Sequence, residues 1–392
     1  MYNIMFNHFL RAIVIPVCCV MLVPIKTGAQ NTDIDMESPL LLNAHTGIAV
    51  WDSNKGDFII QKQSDHYFVP ASNVKIATLY AAQKYLSDSL ASFDYYNTRD
   101  TLFIIPKGDP SLLHPDFPDQ SALDFLQKTQ KPIVILPVKW ETEIYGKGWA
   151  WDDYSSSYMP EKSPMPVNRK KWVVAKSGAP IIYPSVRNMY DSVAIILSDT
   201  LNTSVMVAEN NRAFDDAAIT FYSTAIDSVC KKMMFDSDNF IAEQLLLMMS
   251  DKLLGRMNET KLIEQLLSDS TLQFPQKPVW VDGSGLSRYN LFTPEDMVFL
   301  LRKIEKEFGI TKIKALFPTG NEGTLKGTYD DKKGFIYAKT GTLSGQIALS
   351  GYLTTKKNTP LIFSIMINNH TGKASQLRKT IAEFIERIWI NY

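Results

Sequence analysis

The most constraining segment of the sequence is the run from Pro70 to Leu86, which has helical character and apolar residues on almost every side. A helix without a polar face is normally buried in the middle of a domain. Before it lie two strand-like runs, Thr46–Asp52 and Asp57–Gln63, separated by a good turn sequence that predicts a β-hairpin. The sequence therefore predicts a domain with a β-hairpin at its start and a central helix that begins just after Pro70.

The C-terminal part of the chain predicts the rest of this domain. Three β-like runs, Phe335–Thr340, Gln346–Thr354 and Pro360–Asn368, are followed by a helix with one apolar stripe from Leu377 to Ile388. The other face of that helix carries charges of both signs, which favours packing on a sheet over lying on a membrane. Hairpin, buried helix, sheet and final helix fit one α/β domain that is interrupted by an insertion.

The middle of the chain has a different character. From 87 to 210 it shows short apolar runs among Pro, Asp and Ser, which predict a mainly β inserted domain with strands at Thr101–Pro106, Pro132–Val138, Val193–Ser198 and Thr203–Ala208. Helical periodicity then returns at Asp215–Met234, Asn239–Leu254 and Pro294–Phe308. The predicted division is thus a signal segment at 1–30, a main domain at 31–86 and 211–392, and the insertion at 87–210.

Residues 1–30 are typical of a secretory signal peptide. Arg11 is followed by an apolar run from Ala12 to Ile25, and small residues suited to cleavage surround Ala29. The apolar run is short for a bilayer span, so we expect export to the cell envelope or periplasm with no integral membrane segment after cleavage.

Charge and composition argue against several functions. The chain has 41 basic and 41 acidic residues, and removal of 1–30 takes away Arg11 and Lys26 but no acid, which leaves 39 basic against 41 acidic residues. Such a balance gives no basic face for nucleic acid. After cleavage Cys230 is the one remaining cysteine, which predicts a buried thiol and no internal disulfide. The sequence has no metal-ligand spacing and no phosphate-binding loop, so we expect neither a metal nor another cofactor.

Three short motifs occur in order along the chain: S-x-x-K at Ser72–Lys75, S-D-N at Ser237–Asn239 and K-T-G at Lys339–Gly341. Together they match the set used by penicillin-binding proteins and serine β-lactamases. Each is weak alone, because a second S-x-x-K occurs at Ser228–Lys231 and a second K-T-G at Lys26–Gly28. Context favours the first set, since Ser72 opens a buried helix and a spacing of three brings Lys75 to nearly the same face.

Simpler interpretations compete with each motif. Ser72 could be an ordinary helix cap with Lys75 as a solvated residue of the first turn, and the residues from Ser237 to Asn239 could cap the next helix. The order and spacing of the motifs favour catalysis.

The chemistry follows from the residue types. A Ser hydroxyl is a poor nucleophile until a base removes its proton, and Lys75 can do so only as a neutral amine. Burial and a second cation, Lys339, would both lower the pKa of Lys75. The oxyanion of the intermediate would lie between the backbone N–H groups of Ser72 and Thr342.

The other motif residues receive supporting roles. Ser237 would relay a proton toward the leaving amine, and Asn239 would hold the substrate amide. Lys339 with Thr340 would bind a terminal carboxylate. Gly341 would allow a substrate backbone to approach the strand closely.

With these residues the chain resembles the D-alanyl-D-alanine carboxypeptidase/endopeptidase family of low-molecular-mass penicillin-binding proteins, the class with a large insertion between the first two motifs. The likeness extends to Gly108–Leu112, Gly148–Asp153, Asp282–Arg288 and Gly323–Leu325 and covers most of residues 40 to 370. The resemblance implies a serine β-lactamase/penicillin-binding-protein-like transpeptidase domain, an antiparallel sheet flanked by helices. It also implies an acyl-enzyme on Ser72, hydrolysis by water, and two kinds of partner, peptidoglycan peptides and β-lactam antibiotics.

The sequence departs from the family at two positions. Many relatives place a basic residue about where Thr328 stands and an apolar one where Gln346 stands. The insertion of relatives is also often longer. The cleft chemistry survives these departures, which concern the architecture of the insertion and with it the preference for peptide side chains.

Two alternatives to this function remain. A serine β-lactamase would share the motifs, but the insertion and the lack of an E-x-x-L-N segment after Ser72 speak against it. A catalytically silent peptidoglycan-binding module would not need the base Lys75. Terminal trimming and cross-link cutting use the same Ser72, and the sequence decides neither between them nor on an oligomeric state.

Overall fold

The computed structural model describes residues 36, 38–167, 186–209, 217–270 and 272–392. The predicted signal peptide lies outside the described residues. The strands are β1 (His45–Asp52), β2 (Asp57–Lys62), β3 (Ser89–Asn97), β4 (Leu102–Pro106), β5 (Ile133–Ile135), β6 (Val205–Val207), β7 (Ile219–Ala225), β8 (Ile336–Leu343), β9 (Gln346–Thr354) and β10 (Pro360–Asn368). The helices are α1 (Lys75–Tyr85), α2 (Ser121–Thr129), α3 (Val186–Leu201), α4 (Ile226–Phe235), α5 (Asn239–Leu254), α6 (Glu259–Ser268), α7 (Pro294–Leu316, with a break at Gly309) and α8 (Ala374–Asn391).

The first sheet has the strand order β2-β1-β10-β9-β8 and is antiparallel throughout. The predicted hairpin, formed by β1 and β2, is confirmed, as are the three C-terminal strands and the helix that follows them. Because β8 lies at the edge of this sheet, one side of its backbone is free of strand partners among the described residues.

Helices cover both faces of the first sheet. Along β9, Ile347 and Leu349 belong to a core shared with α8, whereas Ala348 and Tyr352 belong to a core shared with α1, α4, α5, α6 and α7. This alternation is the period-two pattern of a strand buried on both faces. The result is a three-layer arrangement with the sheet in the middle.

The predicted central helix is confirmed, although its regular part starts later than the pattern indicated. A 3₁₀ turn occupies Ala71–Val74, and α1 begins at Lys75. Every residue from Lys75 to Ala82 is buried. The helix is therefore enclosed on all sides, as its lack of a polar face requires.

The second sheet, with the strand order β6-β5-β4-β3-β7, comes from the middle of the chain. Strands β3, β4 and β7 pair antiparallel, whereas β4, β5 and β6 run parallel. Helices α2 and α3 share its apolar core. The division at residues 87 and 210 stays a prediction, and β7, which it assigned to the main domain, pairs with β3 of this second sheet.

Two predicted elements were wrong. The run Val193–Ser198 is not a strand but lies inside α3, where the buried residues Met189, Tyr190, Val193, Ala194 and Leu197 recur at helical spacing. The predicted helix at Asp215–Met234 is correct only from Ile226 onward. The residues just before Ile226 form β7 instead, because pairing with β3 overrides the local pattern.

Within the described ranges, no helix is both long enough and apolar enough to cross a membrane.

Cys230 is a free, fully buried thiol, and burial raises its pKa to about 12.

Candidate active site

Ser72 lies in the tight turn that leads into α1. Its neighbour Ala71 has a φ of 48°, a left-handed conformation that is uncommon for a residue other than glycine. Neither the cap of the turn, Pro70, nor the cap of the helix, Val74, makes a side-chain cap bond, and Ser72 is neither of them. The interpretation of Ser72 as an ordinary cap is therefore wrong, and its half-buried hydroxyl remains available for other contacts.

The amine of Lys75 meets three oxygens. Its Nζ lies 3.1 Å from Ser72 Oγ, 2.6 Å from Asn239 Oδ1 and 2.6 Å from the carbonyl oxygen of Ser284. The side chain is fully buried, so the interpretation of Lys75 as a solvated residue is also wrong. The first two motifs therefore meet at this nitrogen, which contacts Ser72 of the first motif and Asn239 of the second.

Burial controls the charge of this amine. It lowers the pKa of Lys75 to about 8, against the opposing influence of the carboxylates of Asp282, Glu243 and Asp238. The three hydrogen bonds that the described structure gives this amine all go to uncharged oxygens. A substantial fraction of Lys75 is therefore neutral near neutral pH and available as a base.

The second motif combines a helix cap with two groups directed at the cleft. Asp238 caps α5, its Oδ1 accepting from the backbone N–H of Ile241 at 3.0 Å. The cap interpretation thus holds for Asp238 alone. Ser237, before it, has a φ of 56°, and Asn239, after it, donates from Nδ2 to the carbonyl of Tyr158 at 2.8 Å. Strained backbone of this kind is often retained where it directs a functional side chain.

Lys339 brings the third motif to the second. Its Nζ donates to Ser237 Oγ at 2.9 Å and to the carbonyl of Thr340 at 2.8 Å. The side chain is fully buried, and burial followed by repulsion from Lys75 holds the pKa of Lys339 well below its usual range. The repulsion between the two lysines thus lowers the pKa of Lys339, where burial is the larger cause, whereas the lowered pKa of Lys75 comes from burial.

Strand β8 packs tightly on the turn that carries Ser72. Asn73 Nδ2 donates to the carbonyl of Lys339 at 2.9 Å. A Cβ on Gly341 would lie 2.7 Å from the carbonyl oxygen of Pro70 and 3.2 Å from Ala71 Cβ. In the described structure, the turn that carries Ser72 approaches Gly341 closely. A side chain at position 341 would therefore push the first and third motifs apart.

The outer part of β8 borders an open pocket. Thr340 is half-buried and Thr342 is exposed, and Arg378 of α8 donates to Thr342 Oγ1 at 3.1 Å. The pocket, about 480 Å³ in volume, is lined by Thr340 and Gly341 and by three cationic side chains, Lys326, Arg378 and Lys379. Its lining contains no acidic residue, so the described charges there favour an anionic group.

The sequence did not predict the loop at Asp282–Ser287, which contacts the amine of Lys75 through the carbonyl of Ser284. Ser284 supplies a carbonyl, and Asp282 organises that loop by accepting from the backbone N–H of Gly285 at 2.9 Å and of Ser287 at 2.6 Å. Trp149 Nε1 also donates to Asp282, at 2.8 Å. The stretch Asp282–Arg288 was recognised as family-like, but a backbone carbonyl carries no signal in the sequence.

No group of three or more His, Cys, Asp or Glu side chains in the described part of the chain could hold a metal ion. Arg288, near the cleft, donates to the carbonyl of Ser344 at 3.3 Å and to Gln346 Oε1 at 3.2 Å. Gln346 thus has a polar partner within the chain.

The fold is that of a penicillin-binding protein. A solved structure of penicillin-binding protein 4 from Haemophilus influenzae aligns with a TM-score of 0.72 and 20% identity, covering 88% of this chain and 97% of that one. A predatory peptidoglycan endopeptidase from Bdellovibrio bacteriovorus aligns with a TM-score of 0.59 and 15% identity, covering 89% and 93%.

The chain belongs to the D-Ala-D-Ala carboxypeptidase 3 (S13) family, whose model matches residues 29–188 and 194–388. The curated relative D-alanyl-D-alanine carboxypeptidase DacB of Haemophilus influenzae is 30% identical over 162 residues, which are 38% of this chain and 33% of that protein. The matched region therefore spans about a third of that relative.

Proposed function

We propose that this protein is a serine D-Ala-D-Ala carboxypeptidase and/or endopeptidase that acts on peptidoglycan peptides through an acyl-enzyme on Ser72. The observation that carries the proposal is the 3.1 Å contact between Ser72 Oγ and the Nζ of Lys75, a buried amine whose pKa is lowered to about 8. A nucleophile within hydrogen-bond reach of a base with a matched pKa is the arrangement that acyl transfer requires.

In the acylation step, neutral Lys75 removes the proton of Ser72 while Oγ attacks the carbonyl carbon between the two D-alanines. The backbone N–H groups of Ser72 and Thr342 stabilise the oxyanion of the tetrahedral intermediate. Collapse of this intermediate breaks the C–N bond and leaves the acyl group on Ser72. The proton now on Lys75 must reach the departing amine.

Ser237 provides the route for that proton. Its hydroxyl accepts from Lys339 at 2.9 Å, and Asn239, which holds the Lys75 amine, follows two positions later in the chain. The hydroxyl passes its proton to the departing D-Ala amine and takes the proton of Lys75 in exchange, and Asn239 holds the substrate amide. A water molecule then attacks the ester with Lys75 again acting as the base, so neither a metal nor a cofactor takes part.

Lys339 and Thr340 bind the terminal carboxylate of the peptide. In the free protein, burial and Lys75 disfavour the charged form of Lys339. A bound carboxylate favours that charged form, so substrate binding raises the pKa of Lys339.

The same site binds β-lactam antibiotics, because their strained amide carries a neighbouring carboxylate that mimics the peptide terminus. The protein acts in the periplasm or cell envelope, after a signal peptide at 1–30 directs its export. Peptidoglycan peptides and β-lactams, not nucleic acid, are its partners.

Labelling with a fluorescent penicillin tests the nucleophile. Ser72→Ala should abolish covalent labelling while the thermal unfolding curve stays unchanged. The matched control is Ser228→Ala, which alters the other S-x-x-K and should label like the wild type, because Lys231 of that motif is exposed. Undiminished labelling of Ser72→Ala would refute the assignment.

Two further measurements exclude the competing functions. A penicilloyl adduct that persists for minutes supports a penicillin-binding enzyme, whereas rapid turnover would indicate a β-lactamase. Incubation with a muropeptide pentapeptide, followed by mass spectrometry, should detect released D-Ala. Binding without release would indicate a silent peptidoglycan-binding module.

Digestion of purified sacculi separates the two peptidase activities. Loss of pentapeptides would indicate terminal trimming, and loss of cross-linked dimers would indicate cleavage of cross-links. Ser72→Ala should remove both, since both use the same nucleophile.

A further inference from the structure

A buried carboxylate lies beneath the proposed base. Glu243 is 1% exposed and follows Asn239 by one turn on α5. Its two oxygens accept from the backbone N–H groups of consecutive residues, Ser284 at 2.8 Å and Gly283 at 3.2 Å. A single carboxylate therefore holds one dipeptide of the loop that reaches the amine.

The same dipeptide is joined to α1 through its carbonyl groups. The carbonyl of Ser284 accepts from Lys75 Nζ at 2.6 Å, and that of Gly283 accepts from Thr78 Oγ1 at 2.7 Å. Glu243 thus binds the N–H groups of this dipeptide, and α1 binds its carbonyl groups. A shift of this segment would move an oxygen that directly contacts the proposed base.

The dipeptide also lies very close to α5. A Cβ on Gly283 would be 2.5 Å from the carbonyl oxygen of Ala242, the residue just before Glu243. This spacing leaves no room for a water molecule between the helix and the loop at that point. Direct contact with Glu243 therefore satisfies the two N–H groups.

We propose that Glu243 is a positioning residue for the reaction. It holds the Ser284 carbonyl against Lys75, and its negative charge sets the pH range in which that amine can act as a base. This inference rests on the function proposed above. Glu243 does not touch the reacting atoms and acts through Lys75.

The charges around the two groups give the direction of the effect. Burial and then Asp282 raise the pKa of Glu243 to about 7, while Lys162 opposes them. Lys75 is influenced by Asp282, Glu243 and Asp238, which favour its charged form, and it repels Lys339. Above pH 7 Glu243 is mostly ionised and stabilises the ammonium form of Lys75, so its removal should lower the pKa of Lys75.

The test is the pH dependence of the rate at which a fluorescent penicillin acylates the full chain. Glu243→Gln keeps the shape of the side chain but removes the charge and one of the two acceptors. We expect the acid limb of the profile to move to lower pH by roughly 0.5 to 1 unit and the maximal rate to fall about tenfold. Glu243→Asp, which keeps the charge, should leave the position of the limb near that of the wild type.

Two other variants separate positioning from a general loss of packing. Asp296→Asn removes another buried carboxyl, which caps α7 away from Lys75, and should leave the acid limb where it is. Thr78→Val releases the same dipeptide from α1 without changing any charge. It should slow acylation several-fold without moving the limb, a result that does not depend on whether Glu243→Gln folds.

An acid limb of Glu243→Gln that coincides with that of the wild type would overturn the inference, as would a Thr78→Val variant with unchanged rates. Both results presuppose that the wild type is acylated at Ser72. If the wild type is not acylated, the proposed function fails, so the two failures are distinguishable.

Discussion

Four lysines in the part of the chain that the structure describes are almost completely buried, and they fall into two groups. Lys75 and Lys339 lie in the cleft between α1 and β8, and both are fully enclosed. Lys162, at the junction of the middle segment with α6, and Lys332, beside α8, are equally inaccessible. What differs between the groups is the chemistry of the oxygen atoms around each ammonium.

The two lysines outside the cleft have carboxylate partners. Lys162 forms an ion pair with Glu259, and Lys332 forms ion pairs with Asp331 and Glu386. Burial acts to lower the pKa of Lys332, but Asp331 and Glu386 outweigh it and raise the pKa. A buried ammonium group that is paired with carboxylates has a structural role.

Among the described residues, the hydrogen-bond partners of the two cleft lysines are uncharged oxygens: hydroxyls, an amide and carbonyls. Burial lowers the pKa of both, to about 8 for Lys75. A buried amine without a carboxylate partner costs stability, and proteins retain such groups where a perturbed pKa is needed for chemistry. The comparison therefore separates the pair of lysines that we propose for catalysis from a structural pair.

The largest expected effect is on acylation. Lys75→Met removes the proposed base and should slow acylation by a fluorescent penicillin roughly 10²- to 10⁴-fold. Lys162→Met, the same substitution at a structural lysine, should leave the rate of the folded protein within a few-fold of the wild type. Equal losses in the two variants would remove the distinction between the groups.

The same two variants should reverse their order when stability is measured. Lys162→Met leaves Glu259 without its partner in a buried site and should lower the free energy of unfolding by about 3 kcal/mol. Lys75→Met leaves no carboxylate stranded and should be neutral or stabilising. Urea denaturation at neutral pH measures both, and a Lys75→Met variant less stable than Lys162→Met would contradict the comparison.

A smaller effect concerns the pH dependence of stability. The pKa of Lys75 is about 8 in the folded state and 10.5 by its ordinary value, so between these values the unfolded chain binds more protons. The destabilisation caused by Lys75 is therefore fully present below pH 8 and is relieved as the pH rises toward 10.5. Relative to Lys75→Met, the wild type should gain about 3 kcal/mol across this interval. Denaturation curves of the two proteins at several pH values measure the difference, and parallel pH profiles would count against it.

The smallest effect should come from Lys332. Its partners are largely exposed, with Asp331 at 69% and Glu386 at 40% side-chain exposure. Solvent screens such charges, so Lys332→Met should lower stability by less than about 1 kcal/mol. A loss as large as that of Lys162→Met would show that burial of the lysine alone, rather than of the pair, determines the cost.

The sequence predicted the first sheet and the central helix well, because their signals are strong and local. The apolar positions of Pro70–Leu86 and of the three C-terminal strands repeat with clear periods, and the turn between β1 and β2 is typical. In Val193–Ser198, β-branched residues resembled a strand, while the helical spacing of α3 extended beyond that window. The residues of β7 become a strand through their pairing with β3, which a local pattern does not contain.

For the site, the three motifs indicated which side chains to examine. The structure joins Ser72 and Asn239 through Lys75, and it joins Ser237 to Lys339. Their catalytic roles stay a proposal. The sequence did not predict the carbonyl of Ser284 or the charge of Glu243, because neither a backbone oxygen nor an ordinary helical glutamate stands out in a pattern. It raised a helix cap for the residues from Ser237 to Asn239 together, and the structure assigns that cap to Asp238.

The most direct test of the account is an NMR titration of the lysine amines in the resting protein, with Lys75→Met used to assign the Lys75 signal. The account predicts that this amine loses its proton near pH 8. A Lys75 signal that stays protonated up to about pH 10, as in an exposed lysine, would contradict the claim that this amine is the base that activates Ser72.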